Sequence, residues 1–167
     1  MEHWLVALGS DQGDAALDWA ARHAGRRAAL EVIASGLEIP DPRAAVLRAA
    51  DVLEATCPRV PRALHAVPYS LAEELARYDS VDLVVLGSPT GPLAAADTNR
   101  VLGLLRVCRS SVVLVPAGAA GDTAPRDVAW PAAGRRPPAA LRAEVRSGRD
   151  ILRVVRTSAA SPLGPRS

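Results

Sequence analysis

The chain contains no Phe and no Lys, and its aromatic residues are limited to three Trp and two Tyr. Because 49% of its residues are nevertheless hydrophobic, the core must be built mainly from Ala, Val, Leu and Ile. No apolar run approaches the roughly 20 residues that a helix needs to cross a bilayer, and the amino terminus lacks the features of a signal peptide. We therefore expect a cytoplasmic protein without a transmembrane segment, whose 167 residues suffice for one domain.

Residues suited to metal or covalent chemistry are scarce. The two cysteines, Cys57 and Cys108, are far apart and fit no metal or redox spacing, so we interpret them as small buried residues rather than a disulfide. The three His are well separated in sequence, which predicts no metal site. Ser10 and Ser88 each follow an apolar run, but neither lies in a nucleophile elbow. The sequence thus gives no positive indication of catalysis.

Charge is distributed unevenly along the chain. Residues 1–118 contain 11 Arg against 14 Asp plus Glu, a formal charge of −3. Residues 119–167 contain 9 Arg against 4 Asp plus Glu, a formal charge of +5. Residues 117–138 are rich in Pro, Gly and Ala, which is typical of a linker. We therefore predict a domain over residues 1–118, followed over 119–167 by a Pro/Ala/Arg-rich linker and a basic tail with room for one helix.

Apolar periodicity predicts alternating strands and helices in the first 118 residues. The predicted strands are Trp4–Leu8, Ala28–Ala34, Arg59–Val67, Val81–Leu86 and Ser111–Val115, the third weakened by Pro61. The predicted helices are Asp14–Ala24, Arg43–Thr56, Ser70–Arg77 and Asn99–Val107. This alternation favours an α/β fold with a single doubly wound, mainly parallel five-stranded sheet flanked by helices.

The tail combines an apolar stripe with arginines. Helical spacing would place Leu141, Val145, Leu152 and Val155 along one side, and Arg142, Arg146, Arg149, Arg153 and Arg156 along the adjoining side. Such a stripe could dock on the acidic domain, on an anionic membrane surface or on an acidic partner. Residues 151–156 could instead form a short strand. Because no aromatic residues are interleaved with the arginines, sequence-specific nucleic-acid binding is not expected.

Several strings, taken in order, resemble the universal stress protein family. They are Val6-Ala7-Leu8-Gly9-Ser10, Ala16-Leu17-Asp18-Trp19-Ala20, Val81-Asp82-Leu83-Val84-Val85-Leu86-Gly87 and Ser111-Val112-Val113-Leu114-Val115-Pro116. The resemblance covers about residues 3–117. It implies a stress-response role and a homodimer paired through the last predicted strand, Ser111, Val112, Val113, Leu114 and Val115. An exposed apolar edge strand would suit such pairing.

The resemblance also bears on ATP. Members that bind ATP carry Gly-x2-Gly-x9-Gly-Ser/Thr after the fourth strand, so that backbone amides can approach the phosphates. Here Gly87 and Gly91 have three residues between them, and one of these, Pro89, has no N–H. The final Gly-Ser/Thr pair of the motif corresponds to Thr98-Asn99 here. The Asp that the family carries in its first strand corresponds to Leu8. Any retained nucleotide site would use Gly9, Ser10, Gly87, Ser88, Gly91, Thr98 and Asn99.

The favoured hypothesis is a non-catalytic regulatory or stress-response module, dimeric, with weak or no ATP binding. One alternative is an ATP-binding switch with slow hydrolysis. Another is an adaptor that docks on a membrane surface or an acidic partner through its Arg-rich tail.

Overall fold

One sheet with helices on both faces organises the chain. The computed structural model describes residues 1–9, 13–131 and 136–156. Its strands are β1 Glu2–Leu8, β2 Ala28–Ser35, β3 Arg62–Val67, β4 Leu83–Ser88, β5 Ser111–Pro116, β6 Arg126–Ala129 and β7 Leu152–Val155. Its helices are α1 Gly13–Ala24, α2 Pro42–Thr56, α3 Leu71–Ala76, α4 Ala95–Val107 and α5 Ala139–Ser147. None of the helices in the described ranges is both long and apolar enough to span a bilayer.

The strand order is β3-β2-β1-β4-β5-β7-β6. Strands β1 to β5 are parallel, β7 is antiparallel to β5, and β6 is parallel to β7. The predicted α/β class with a mainly parallel sheet is therefore confirmed. The predicted count of five strands is wrong, because the C-terminal extension adds two strands to the same sheet.

The extension is more regular than its composition suggests. Strand β6 lies inside the stretch that we interpreted as a linker, and three of its four residues are exposed, so it has little apolar pattern. In β7, Leu152 and Val154 are buried while Arg153 between them is exposed, which is the two-residue alternation of a strand. The alternative of a short strand within residues 151–156 is thus confirmed.

Strand β5 lies in the interior of the sheet. Val112, Val113 and Leu114 pair with Val154, Arg153 and Leu152 of β7. The prediction that Ser111, Val112, Val113, Leu114 and Val115 form an exposed edge is therefore wrong, because β7 occupies that side within the same chain. In the described part of the chain, the strands with a neighbour on one side alone are β3 and β6.

The core forms one layer on each face of the sheet. Trp4, Val6 and Leu8 of β1 face α1 and α2, whereas Leu5 and Ala7 face the layer beneath α3, α4 and α5. The Ala-rich face of α1 packs directly on the sheet, with Ala16, Ala20 and Ala24 fully buried. Small residues let this helix approach closely, which compensates for the absence of Phe.

We expect the extension to unfold together with the rest of the sheet. Leu152 is 1% exposed, so Leu152→Ala should lower the free energy of unfolding by about 2–5 kcal/mol through lost burial and a residual cavity. Leu47, which is 68% exposed, provides the control, and Leu47→Ala should change stability by no more than about 0.5 kcal/mol. Denaturant titrations followed by Trp fluorescence and circular dichroism should coincide in one transition. Two separate transitions, or equal effects of both substitutions, would contradict the docking of β7.

Candidate functional site

The carboxyl ends of β1 and β4 lie side by side, since Ala7 pairs with Leu86. In a parallel α/β sheet this edge is where ligands bind. Gly9 directly follows β1, whereas Ser10 lies outside the described residues. Gly87 and Ser88 lie within β4 rather than in a turn, because the ladder with β5 continues through Gly87 to Val115 and Ser88 to Pro116.

The loop after β4 is covered by the end of α5. The Gly91 N–H donates to the Gly148 carbonyl at 3.3 Å, and the Leu93 N–H donates to the Arg146 carbonyl at 2.7 Å. A Cβ atom on Gly91 would overlap the backbone of Ser147. The backbone amide of Gly91, a residue of the predicted nucleotide site, and that of nearby Leu93 are thus engaged by the chain's own extension.

Gly148 makes this approach possible. It ends α5 in the left-handed conformation, with φ at 56°, which favours glycine. A Cβ atom here would overlap the backbone of Gly91 and lie 3.2 Å from the Pro89 carbonyl oxygen. Two glycines therefore meet backbone to backbone, and this contact joins the loop to the extension.

Thr98 and Asn99 lie in the first turns of α4, which begins four residues earlier than predicted. Thr98 is 3% exposed, and its hydroxyl donates to the Ala94 carbonyl at 3.0 Å. The Asn99 Oδ1 accepts from Arg142 Nη1 at 3.1 Å. Both polar groups are therefore already bonded within the chain, one to its own helix and one to α5.

The basic tail does not form one stripe. Helical spacing applies to α5, but the chain then turns into β7, where side chains alternate between the two faces. Arg153 forms a two-bond ion pair with Asp127, at 2.9 and 2.7 Å. The hydrogen bonding between them lowers the pKa of Asp127 and raises that of Arg153. Arg149 is exposed in the turn between α5 and β7. The predicted continuous arrangement of five arginines is wrong.

Arg156 is half-buried beneath the end of α4. Its guanidinium lies 4.4 Å from the centre of the Trp130 ring and donates to the Leu105 carbonyl. Burial lowers the pKa of Arg156. The neighbouring Cys108 is 2% exposed, and burial raises the pKa of its thiol to about 12, against a smaller opposing effect of Arg156. Both Cys57 and Cys108 are free, as predicted, although Cys57 is only partly buried.

Two remaining tail arginines line a groove between α4 and α5. Arg142 and Arg146 lie one turn apart on α5, beside a cavity of about 570 Å³ that also contacts Pro92, Ala95 and Ala143. The tail pattern indicated the arginines, but the partner surface on α4 could not be inferred from it.

A second cavity, of about 510 Å³, lies at the amino ends of β1, β4 and β5. Trp4, Trp19 and His23 form one wall, with the Trp19 and His23 rings stacked 4.1 Å apart. Four of the charged groups at its rim form ion pairs, Arg153 with Asp127 and Arg27 with Glu2, whereas the Asp82 carboxylate accepts from the His3 backbone N–H. Sequence reasoning missed this cavity, because its walls come from distant segments.

The Glu31 carboxylate on β2 contacts polar side chains from β1, from β3 and from the segment after α3. The His3 Nε2 lies 2.7 Å from one carboxylate oxygen, and the His65 Nε2 lies 3.2 Å from the other. The Tyr78 hydroxyl also donates to Glu31 at 2.8 Å, and burial together with this bond raises the pKa of Tyr78. The histidines are distant in sequence, but adjacent strands bring two of them together. Across residues 1–9, 13–131 and 136–156, no group of three or more His, Cys, Asp and Glu side chains could hold a metal ion.

No protein-family model matches the chain, and no curated protein sequence matches it. The resemblance to universal stress proteins therefore stays a prediction.

Gly91→Ala should destabilise the protein by about 1–3 kcal/mol, because the new methyl group overlaps Ser147 and the two segments must separate. Gly103→Ala is the matched control, since a Cβ at this exposed position of α4 meets nothing within 4 Å. It should stabilise the protein by about 0.5–1 kcal/mol through helix propensity. Urea titration of both variants measures the difference. Equal shifts in the same direction would count against the contact between the loop and α5.

The buried thiol of Cys108 should resist modification. With its pKa near 12 in the folded protein and 9.0 ordinarily, Cys108 stays protonated in the native state between these values, whereas it ionises in the unfolded chain. In a Cys57→Ser variant, a thiol reagent should therefore label Cys108 slowly at about pH 9, and rapidly once denaturant is added. Fast native labelling of this variant would contradict the burial of Cys108. The Cys108→Ser variant, which retains Cys57, is the comparison.

Proposed function

We propose that the chain is a non-catalytic regulatory module, similar to universal stress proteins, that binds ATP weakly or not at all while its extension is docked. The observation that carries this proposal is the contact of Gly91 and Leu93 with Gly148 and Arg146.

Phosphate binding at a glycine loop depends on free backbone N–H groups that point at the anion. Here the Gly91 and Leu93 amides donate to α5, and Pro89 and Pro92 have no N–H. A nucleotide would have to displace the last turn of α5, and this helix is anchored by the buried side chains of Leu141 and Val145. These features support a module in which the loop after β4 holds the extension in place and does not bind phosphate.

The hydroxyls near the loop also support a non-catalytic role. The buried Thr98 hydroxyl is bonded to the Ala94 carbonyl, and the Thr90 hydroxyl donates to the Ala117 carbonyl. A nucleophile needs a base within hydrogen-bond reach, whereas each of these hydroxyls donates to a backbone oxygen.

Self-association stays a prediction. Because β7 covers β5, a dimer that extends the sheet would use β3 or β6 instead. Arg62 and His65 make β3 a less apolar pairing surface than the one predicted from Ser111–Val115.

Calorimetric titration of the nucleotide-free full chain with Mg-ATP tests the proposal. We expect no saturable heat and no thermal shift at millimolar ATP. A ligand present at 100 times its Kd would stabilise the fold by about 2.7 kcal/mol, or about 5–10 °C in a domain of this size, so binding would be seen readily. Micromolar binding by the wild-type chain would overturn the proposal.

Gly148→Ala makes the test sharper. An alanine at position 148 would have a strained φ, and its methyl group would overlap the Gly91 backbone. Both effects should separate the end of α5 from the loop. If ATP binding appears in this variant and not in the Gly103→Ala control, the docked extension is what prevents it.

A further inference from the structure

The groove between α4 and α5 carries two adjacent positive charges. Arg142 and Arg146 both line it, and their spacing of four residues places them on one face of α5. The volume of about 570 Å³ lies in the range of small-molecule sites.

Neither guanidinium is neutralised by a carboxylate among the described residues. Arg142 uses one of its five donors on Asn99, at 3.1 Å. In contrast, Arg126 and Arg153 of the same extension are each paired with acidic side chains. Two guanidiniums with free donors therefore face the groove.

Among the described residues, neither Glu144 nor Asp97 forms an ion pair with Arg142 or Arg146. Glu144 lies on α5 but pairs with Arg126. Asp97 is exposed in the first turn of α4, where its negative charge offsets the positive amino end of that helix's dipole. The charged side chains that line the groove are therefore the Arg142 and Arg146 guanidiniums.

The remaining lining is mostly apolar and small. Pro92, Ala95, Ala139 and Ala143 contribute methyl and ring carbons. The two hydroxyls already donate within the chain, Thr98 to Ala94 and Ser147 to Glu144. Specific polar recognition of a ligand must therefore come from the arginines. The rest of the groove suits an apolar part of that ligand.

We propose that this groove binds a phosphomonoester carried on a compact apolar group. A phosphomonoester has a charge of about −1.5 to −2 near neutral pH, which matches two guanidiniums, and its oxygens accept paired hydrogen bonds from them. A carboxylate brings a single charge and satisfies one guanidinium. The groove adjoins the Gly87–Gly91 loop and shares Thr98 with the predicted nucleotide site, but its charge is carried by Arg142 and Arg146 of α5. The inference goes beyond the function proposed above and does not depend on it.

Titration of the full chain with phenyl phosphate at low ionic strength tests this inference. We expect saturable binding that weakens with added salt. The Arg142→Gln/Arg146→Gln variant should bind at least about tenfold more weakly, since charge-assisted hydrogen bonds are lost. The matched control, Arg106→Gln/Arg149→Gln, removes the same charge from exposed arginines outside the groove and should stay within about twofold of the wild type.

Benzoate and inorganic phosphate separate the two parts of the ligand. Weaker binding of benzoate supports the need for a dianion, and weaker binding of inorganic phosphate supports the role of the apolar lining. Absence of saturable phenyl phosphate binding, or equal losses in the two double variants, would overturn the inference. Mg-ATP binding that survives Arg142→Gln/Arg146→Gln would contradict the proposed function and leave this inference intact.

Discussion

Strand β7 lies antiparallel along β5, with Val112 opposite Val154 and Leu114 opposite Leu152. This pairing turns what would be the last strand of a five-stranded sheet into an interior strand. It also fixes where the chain runs before β7, because α5 must pack on the face that Leu152 and Val154 bury. The covering of the loop after β4, the groove between α4 and α5 and the cavity at the amino ends of the strands all follow from this placement.

The backbone contact between Gly91 and Gly148 links the sheet extension to the proposed function. A loop that could offer amides to a phosphate instead offers them to the carbonyls of α5. The same helix that closes the loop opens a different surface, where Arg142 and Arg146 retain their charge. One element therefore removes one anion site and supplies the residues for another, which is why the two functional proposals can be tested independently.

Much of the fold could be predicted because its signals are local. The buried strands are short runs of β-branched and aliphatic residues, and at the start of α3 the Ser70 hydroxyl accepts a hydrogen bond from the Glu73 N–H at 3.2 Å, which is a local side-chain cap. Strand β6 was missed because its side chains are mostly exposed. The arginines of the tail were found, but extending the helical period past Gly148 placed Arg153 and Arg156 wrongly.

The sequence by itself determined the α/β alternation, the parallel sheet from β1 to β5 and an Ala-rich core, because periods of 2 and 3.6 residues record which side of each element is buried. Tertiary structure alone decided that β7 covers β5, that α5 covers the loop and that His3 and His65 meet at Glu31. Strand pairing uses N–H and C=O groups that nearly every residue offers. Side-chain patterns therefore show that a strand exists without showing which strand lies beside it.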